Sequence, residues 1–254
     1  MGVKMTINEI KEKLKTSEYD FLRNFSSTEH PIVLLGFGGS YAYGTNTETS
    51  DIDIRGVATN SKRNILCGKD FDNFKNNTTD TTIYSLEKFI KLASSCNPSI
   101  IELLGLKPEH YFYINDVGQL LIDNKSLFLS SCVATTFAGY ITSQIKLLHT
   151  VYTRNTTKQM MHIARLYIMG EEILSTGKIN TFREKEHNLL MSIRNGDFID
   201  KEKEIPTQEF WTLINTLQAN FYYAEKHTIL PQHINTEKIY DLLESINEKI
   251  VKNN

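Results

Sequence analysis

Two neighbouring segments carry residues whose types and order can do chemistry: Gly36-Phe-Gly-Gly-Ser-Tyr-Ala-Tyr-Gly-Thr, and shortly after it Ser50-Asp-Ile-Asp-Ile-Arg. Gly38 and Gly39 follow an apolar run, so the backbone can turn sharply there and come close to a ligand. Ser40 then opens a short helix, whose free N–H groups and dipole favour a phosphate, and its hydroxyl adds a further hydrogen bond. Asp51 and Asp53 are two apart in an alternating segment that reads as a strand, so both side chains leave one face. Two strand rises set their Cα atoms about 6.5–7 Å apart. From that spacing two carboxylates can bracket metal ions roughly 3.5–4 Å apart. Adjacent like charges are costly unless divalent cations neutralise them, and Mg²⁺ takes one or two carboxylates together with phosphate oxygens. Glycine cradle, paired carboxylates and alternating strand together describe a metal–nucleotide site. Arg55 shares the face of the two aspartates by parity; it either pairs with a carboxylate or reaches a phosphate.

A second group lies in the other half. From Asn124 to Gly170 there is no Asp or Glu, while Lys125, Lys146, Arg154, Lys158 and Arg165 fall inside that window. Such a window is either a buried helix, which excludes carboxylates, or a place for an anionic ligand. Lys158, His162 and Arg165 are spaced i, i+4, i+7 and share one helix face, with Met160, Ile163 and Tyr167 on another. The basic stripe reads as a contact for a triphosphate or an anionic acceptor, against the alternative of a solvated face. His162 is a proton carrier or a hydrogen-bonded structural histidine. Arg194 is a weaker candidate of the same kind. Tyr41 and Tyr43, beside the cradle, either stack on a base or pack. The pair Asp70-Phe-Asp has no glycine cradle before it and sits in a polar loop, so it reads as a solvated turn.

The elements that must position these residues divide in two. Thr6 to about Phe25 has helix-like apolar spacing with Thr6 as N-cap. Pro31 to Phe37 reads as a buried strand, Asp51 to Ala58 as a second, Asn64 to Thr79 as loop or hairpin, and Asp80 to Ser85 as a third strand followed by a helix, Leu86–Ser94. Beyond about Ser130 the strand signals stop, and Thr135–Thr153, Thr157–Ser175, Thr207–Lys226 and Asn235–Val251 suit helices with apolar stripes. The pattern is an α/β N-terminal domain, residues 1–130, followed by a helical domain, residues 131–254.

Composition narrows the class. The chain has 254 residues, 28 Lys+Arg against 30 Asp+Glu, and 40% hydrophobic residues, enough for a sizeable core. A net charge of −2 argues against a protein that coats nucleic acid non-specifically. No apolar run approaches the roughly 18 residues that span a bilayer, and the first residues lack the apolar core of a signal peptide. Cys67, Cys96 and Cys132 form neither a disulfide framework nor a zinc knuckle. A cytoplasmic location is expected, with the Asn-x-Ser/Thr triplets at Asn24, Asn76, Asn77 and Asn155 as chance matches.

Gly-Gly-Ser followed by Asp-x-Asp resembles the nucleotidyltransferase fold of the DNA polymerase beta superfamily. The string Gly39-Ser-Tyr-Ala-Tyr-Gly…Ser50-Asp-Ile-Asp-Ile-Arg-Gly-Val is similar to the predicted nucleotidyltransferases grouped with RNA-repair-associated polymerases. Asn97-Pro-Ser-Ile-Ile-Glu-Leu-Leu and Lys158-Gln-Met-Met-His-Ile-Ala-Arg fit the same group. The resemblance runs from about Gly36 to Arg194. It implies an α/β (α+β) fold: a mixed sheet flanked by helices, then a C-terminal helical domain closing a cleft. It implies transfer of an NMP from an NTP to an acceptor hydroxyl, with two Mg²⁺ or Mn²⁺ ions held by Asp51, Asp53 and a third carboxylate. Asp80 is the first candidate for that third carboxylate and Glu102 the second. Gly38, Gly39, Ser40, Arg55, Lys158, His162 and Arg165 would bind the nucleotide. The acceptor implied is an RNA end, with a protein or a small molecule as alternatives. A regulator that binds NTP without turnover, in a defence or toxin–antitoxin setting, is the rival class.

Overall fold

The computed structural model describes residues 5–26, 29–150 and 156–253. The predicted first helix is two, α1 (Ile7–Lys13) and α2 (Asp20–Ser26), separated by a 3₁₀ turn at Ser17–Tyr19. Thr6 caps α1 as expected, in a reciprocal capping box with Glu9. β1 (Ile32–Phe37) is buried along its whole length and hands the chain to the short helix α3 (Gly39–Tyr43). β2 (Ile54–Ala58), α4 (Lys62–Leu66), β3 (Asn73–Asn76) and β4 (Thr81–Ser85) follow, and Ser85 caps α5 (Leu86–Ser94). Then come α6 (Pro98–Leu104), capped by Asn97, β5 (Tyr111–Ile114) and α7 (Asp116–Asp123). The alternating pattern did not announce β5, a four-residue edge strand.

The sheet order is β3-β4-β2-β1-β5, antiparallel except for the parallel pair β2–β4. This is the mixed sheet flanked by helices that the motif implied. The C-terminal half is α8 (Cys132–Thr150), α9 (Thr156–Thr176), α10 (His187–Asn195), a small hairpin of β6 (Ile199–Asp200) and β7 (Ile205–Pro206), α11 (Gln208–Lys226) and α12 (Thr236–Asn253). The expected boundary at residue 130 falls just before α8. One apolar core nevertheless runs across it, from Val33, Leu34 and Phe37 through Ile163 and Leu166 to Ile246. The central helix α9 packs against α8, α10 and α11, which leaves one side of it to face the sheet half. Among the described residues no helix is long and apolar enough to cross a membrane. Arg154, Asn155 and the last three residues of the predicted helix ending at Thr153 lie outside the described residues.

Candidate active site

The cradle and the acidic segment are built on each other. Gly38 is extended (φ −110°, ψ −175°) and its N–H donates to the Asp53 carbonyl at 2.8 Å. Gly39 sits at φ +56°, and a Cβ added there would lie 1.8 Å from Asp53 Oδ2. The glycine is thus required twice, by the left-handed backbone and by the carboxylate against it. Ser40, buried in the first turn of α3, has its carbonyl tied to the Thr45 N–H at 2.9 Å.

The carboxylates differ from the expected strand pair. β2 begins at Ile54, so Asp51 and Asp53 lie in the extended segment before it, where no ladder fixes their parity. Asp53 lines a cavity of about 370 Å³ with Gly39, Ser40, Tyr43, Lys158, His162 and Arg194. Asp51 is exposed and lines an adjoining cavity of about 530 Å³ that it shares with Asp80 and Tyr41. Asp80 occupies the turn before β4 at φ +41°, a region that aspartate tolerates better than most residues. The parallel register Ile54↔Thr81 sets the residues preceding the two strands side by side, and so brings Asp53 to Asp80. Burial, then the hydrogen bond and charge of Asp80, push the Asp53 carboxyl up to about 7. Asp80 is held below the usual carboxylate range, chiefly by accepting that bond.

Arg55 sits against this pair. Its Nη1 donates to the carbonyls of Asp80 (2.8 Å) and Ile54 (2.9 Å), its guanidinium is 3.4 Å from Asp80 Oδ1, and Nη2 is 3.7 Å from Asp53 Oδ1. The pairing alternative, not the phosphate one, describes its contacts. Two carboxylates this close repel unless a proton or a cation lies between them, so the pair is a donor set that suits a divalent cation. No group of three His, Cys, Asp or Glu side chains converges as a metal centre among the described residues.

The basic stripe of α9 splits. Lys158 and His162 reach the cavity, and the Lys158 charge acts to lower the Asp53 carboxyl. Arg165 does not reach it: the next turn of α9 is covered by the sheet half, and the side chain is wholly buried. There its Nη1 donates to Glu102 Oε1 at 2.7 Å, and its guanidinium lies 3.6 Å from the centre of the Tyr43 ring. Glu102 also accepts from the Tyr43 hydroxyl at 2.7 Å, so it is spent on an internal ion pair rather than offered as a third carboxylate. With Arg165 on its ring and its hydroxyl tied down, Tyr43 packs; Tyr41 is buried and stacks on Phe37.

The cation that does line the cavity beside Lys158 is Arg194, the weaker sequence candidate. It comes from the last turn of α10, its Nη2 reaches Ser50 Oγ at 3.3 Å, and its Nη1 is buried without a hydrogen-bond partner. Burial alone pulls its pKa down. The sequence signal was only the Ser-Ile-Arg-Asn-Gly helix end, with Gly196 in the left-handed cap position. Asp70, of the second Asp-x-Asp pair, lies in an irregular segment and is exposed as expected, but its carboxylate accepts from the buried Asn60 Nδ2 at 2.7 Å and Ser85 Oγ at 3.1 Å, ten and fifteen residues away. The three cysteines are free.

A strand, a glycine turn and a short helix, hydrogen-bonded to an Asp-x-Asp segment that feeds the neighbouring strand, define a nucleotidyltransferase-like chain of the polymerase beta superfamily. The comparisons make this particular: the profile of the RNA repair pathway DNA polymerase beta family matches residues 8–243, and the chain belongs to that family. An uncharacterized 38.9 kDa protein in the nrdC-mobD intergenic region of Enterobacteria phage T4 is 26% identical over 205 residues, covering 72% of this chain and 60% of the phage protein. The chain thus spans about 60% of the length of that relative. A nucleotidyltransferase-like protein from Exiguobacterium sibiricum 255-15, solved by crystallography, aligns over 96% of this chain and 75% of its own, with 8% identity and a TM-score of 0.29.

Proposed function

We propose that this chain is a metal-dependent nucleotidyltransferase that moves an NMP from an NTP to an acceptor hydroxyl and releases pyrophosphate. The observation that carries the reading is the 370 Å³ cavity, in which the Gly39–Ser40 cradle and Asp53 of one half face Lys158, His162 and Arg194 of the other. A triphosphate satisfies both sides of that cavity. Its oxygens would meet the cradle and the two cations, and Arg194 Nη1 would gain the hydrogen-bond partner it lacks. Asp53 and Asp80, with Asp51 from the adjoining cavity, would hold Mg²⁺ or Mn²⁺. Bound there, such ions would supply acidification of the attacking hydroxyl and charge neutralisation for the departing pyrophosphate. The protein's share is alignment: the cradle fixes the phosphates, and Asp51 and Asp80 border the side from which the acceptor approaches.

For the acceptor we propose an RNA end, on the strength of the family. The overall charge of −2 fits an enzyme that grips one end rather than coating a strand. The test incubates the protein with each α-labelled NTP, Mg²⁺ or Mn²⁺, and cellular RNA or protein extract. Label is expected in the RNA fraction and is lost in Asp53→Ala. Nucleotide binding by calorimetry without label transfer or pyrophosphate release, across all acceptors, would replace the enzyme with a nucleotide-binding regulator.

A further inference from the structure

Arg165, His162, Glu102 and Tyr43 form a polar cluster inside the apolar core, immediately behind the nucleotide cavity. Arg165 Nη2 lies 3.0 Å from His162 Nδ1. A guanidinium has only donors, and it does not lose its proton in a protein. Burial works against its charge, but Glu102 and Tyr43 more than offset that. The bond therefore has one sense: Arg165 donates and His162 Nδ1 accepts. The imidazole proton must then sit on Nε2, the nitrogen left for the cavity that His162 lines. A proton on Nδ1 would set a second N–H against the guanidinium, and an imidazolium would add a like charge beside it.

We propose that Arg165 is a positioning residue which locks His162 as the neutral Nε2–H tautomer, so that the ring presents a fixed uncharged donor to a phosphate oxygen of the nucleotide. The lock is itself held from three elements. Glu102 of α6 takes the other arm of the guanidinium, Tyr43 at the end of the cradle helix covers its face, and Thr181 Oγ1 donates to the Glu102 carbonyl at 2.6 Å. Cradle and donor thus share one buried scaffold, which sets their separation. The other charged groups around the cavity are Lys158 on the same helix, Arg194 from α10 and Asp53 across from it. Burial first, then Arg165 and Lys158, push the His162 pKa down to about 3, in keeping with a ring that stays neutral. The sequence options of proton carrier or plain structural histidine give way to a third: a fixed donor. The donor role rests on the nucleotide reading of the cavity; the lock does not.

The test is long-range ¹H–¹⁵N correlation spectroscopy of the full chain labelled at histidine, with His162→Gln assigning the signal. At pH 7 the His162 proton is expected on Nε2, with Nδ1 unprotonated. Arg165→Lys keeps the charge but loses the planar fork. It is expected to release the ring into a mixture of tautomers and to raise KM for ATP about tenfold, the scale of one hydrogen bond to a charged group, with kcat moving less. Should that variant unfold, Arg165→Met/Glu102→Gln leaves no buried charge unpaired and is expected to show the same loss of the fixed tautomer. A wild-type ring protonated on Nδ1, or a fixed Nε2–H tautomer persisting in a folded variant, overturns the proposal. A fixed tautomer whose Nε2 signal ignores Mg²⁺–ATP while calorimetry shows the nucleotide bound overturns the donor role alone. No binding of any NTP overturns the nucleotide reading and with it the donor role, while the lock is judged by the tautomer.

Discussion

Replacing Gly39 with alanine tests whether the cradle and the carboxylate are one device. Two costs separate cleanly. The first is conformational: an L side chain at φ +56° costs about 1–2 kcal/mol. The second is a collision, because the new Cβ would lie 1.8 Å from Asp53 Oδ2, whereas ordinary contact begins at 3.4 Å. The carboxylate must retreat by that difference, 3.4 − 1.8, or about 1.6 Å. Misplacing a reacting group by about 1 Å costs on the order of 100-fold in rate. Gly68 is the control, since it has a similar φ of +62° with nothing within 4 Å of an added Cβ. Urea denaturation is expected to show a loss of about 1–2 kcal/mol in Gly68→Ala and a larger one in Gly39→Ala, which carries the collision as well. Transfer from α-labelled NTP should be unchanged in Gly68→Ala and fall at least 100-fold in Gly39→Ala. Wild-type transfer by Gly39→Ala would refute the argument that this carboxylate is placed by the glycine and used in the reaction.

Three further outcomes follow from the same geometry. The Asp53 carboxyl is raised to about 7 from an unfolded value near 3.8, so the folded metal-free protein binds the extra proton, and its stability should fall as pH rises from 4 to 7. Thermal melts in EDTA should show that slope, and Asp53→Asn should lack it. Glu102→Ala strands the Arg165 cation in the core and should cost about 3–5 kcal/mol in urea unfolding; a catalytic third carboxylate would instead cost rate with little loss of stability. Arg194→Ala should leave the melting temperature within a few degrees of wild type, because only one long bond, to Ser50 Oγ at 3.3 Å, is lost, yet raise KM for NTP about tenfold in steady-state kinetics.

What the sequence made legible was local. The cradle, the cap at Thr6 and the helix that carries His162 each depend on residues a few positions apart, and each is where the spacing put it. The strand start was misplaced because alternation continues through Asp51-Ile-Asp although the hydrogen-bonded ladder begins only at Ile54. Asp80 could be named as a partner for Asp53, but the reason they meet, the parallel pairing of β2 with β4, is a long-range fact that no window of sequence contains.

The two arginines show where helical periodicity stops informing. Lys158, His162 and Arg165 share a face, as their spacing says, yet a face is a strip along a helix and the cavity meets only part of it. One turn beyond His162, α6 and the end of α3 close over α9, and Arg165 passes from a surface into a core. A buried guanidinium needs a carboxylate within hydrogen-bonding reach, and Glu102 supplies it. The same pairing removes Glu102 from the candidate metal ligands, so a single contact corrects two expectations at once. The cavity-lining position falls instead to Arg194, twenty-nine residues on, whose Nη2 reaches Ser50 while its Nη1 is buried without a hydrogen-bond partner. Which of two arginines is tied into the core and which lines the cavity is thus decided by the carboxylate each one has or lacks, and that is settled by packing between the halves rather than by spacing along either.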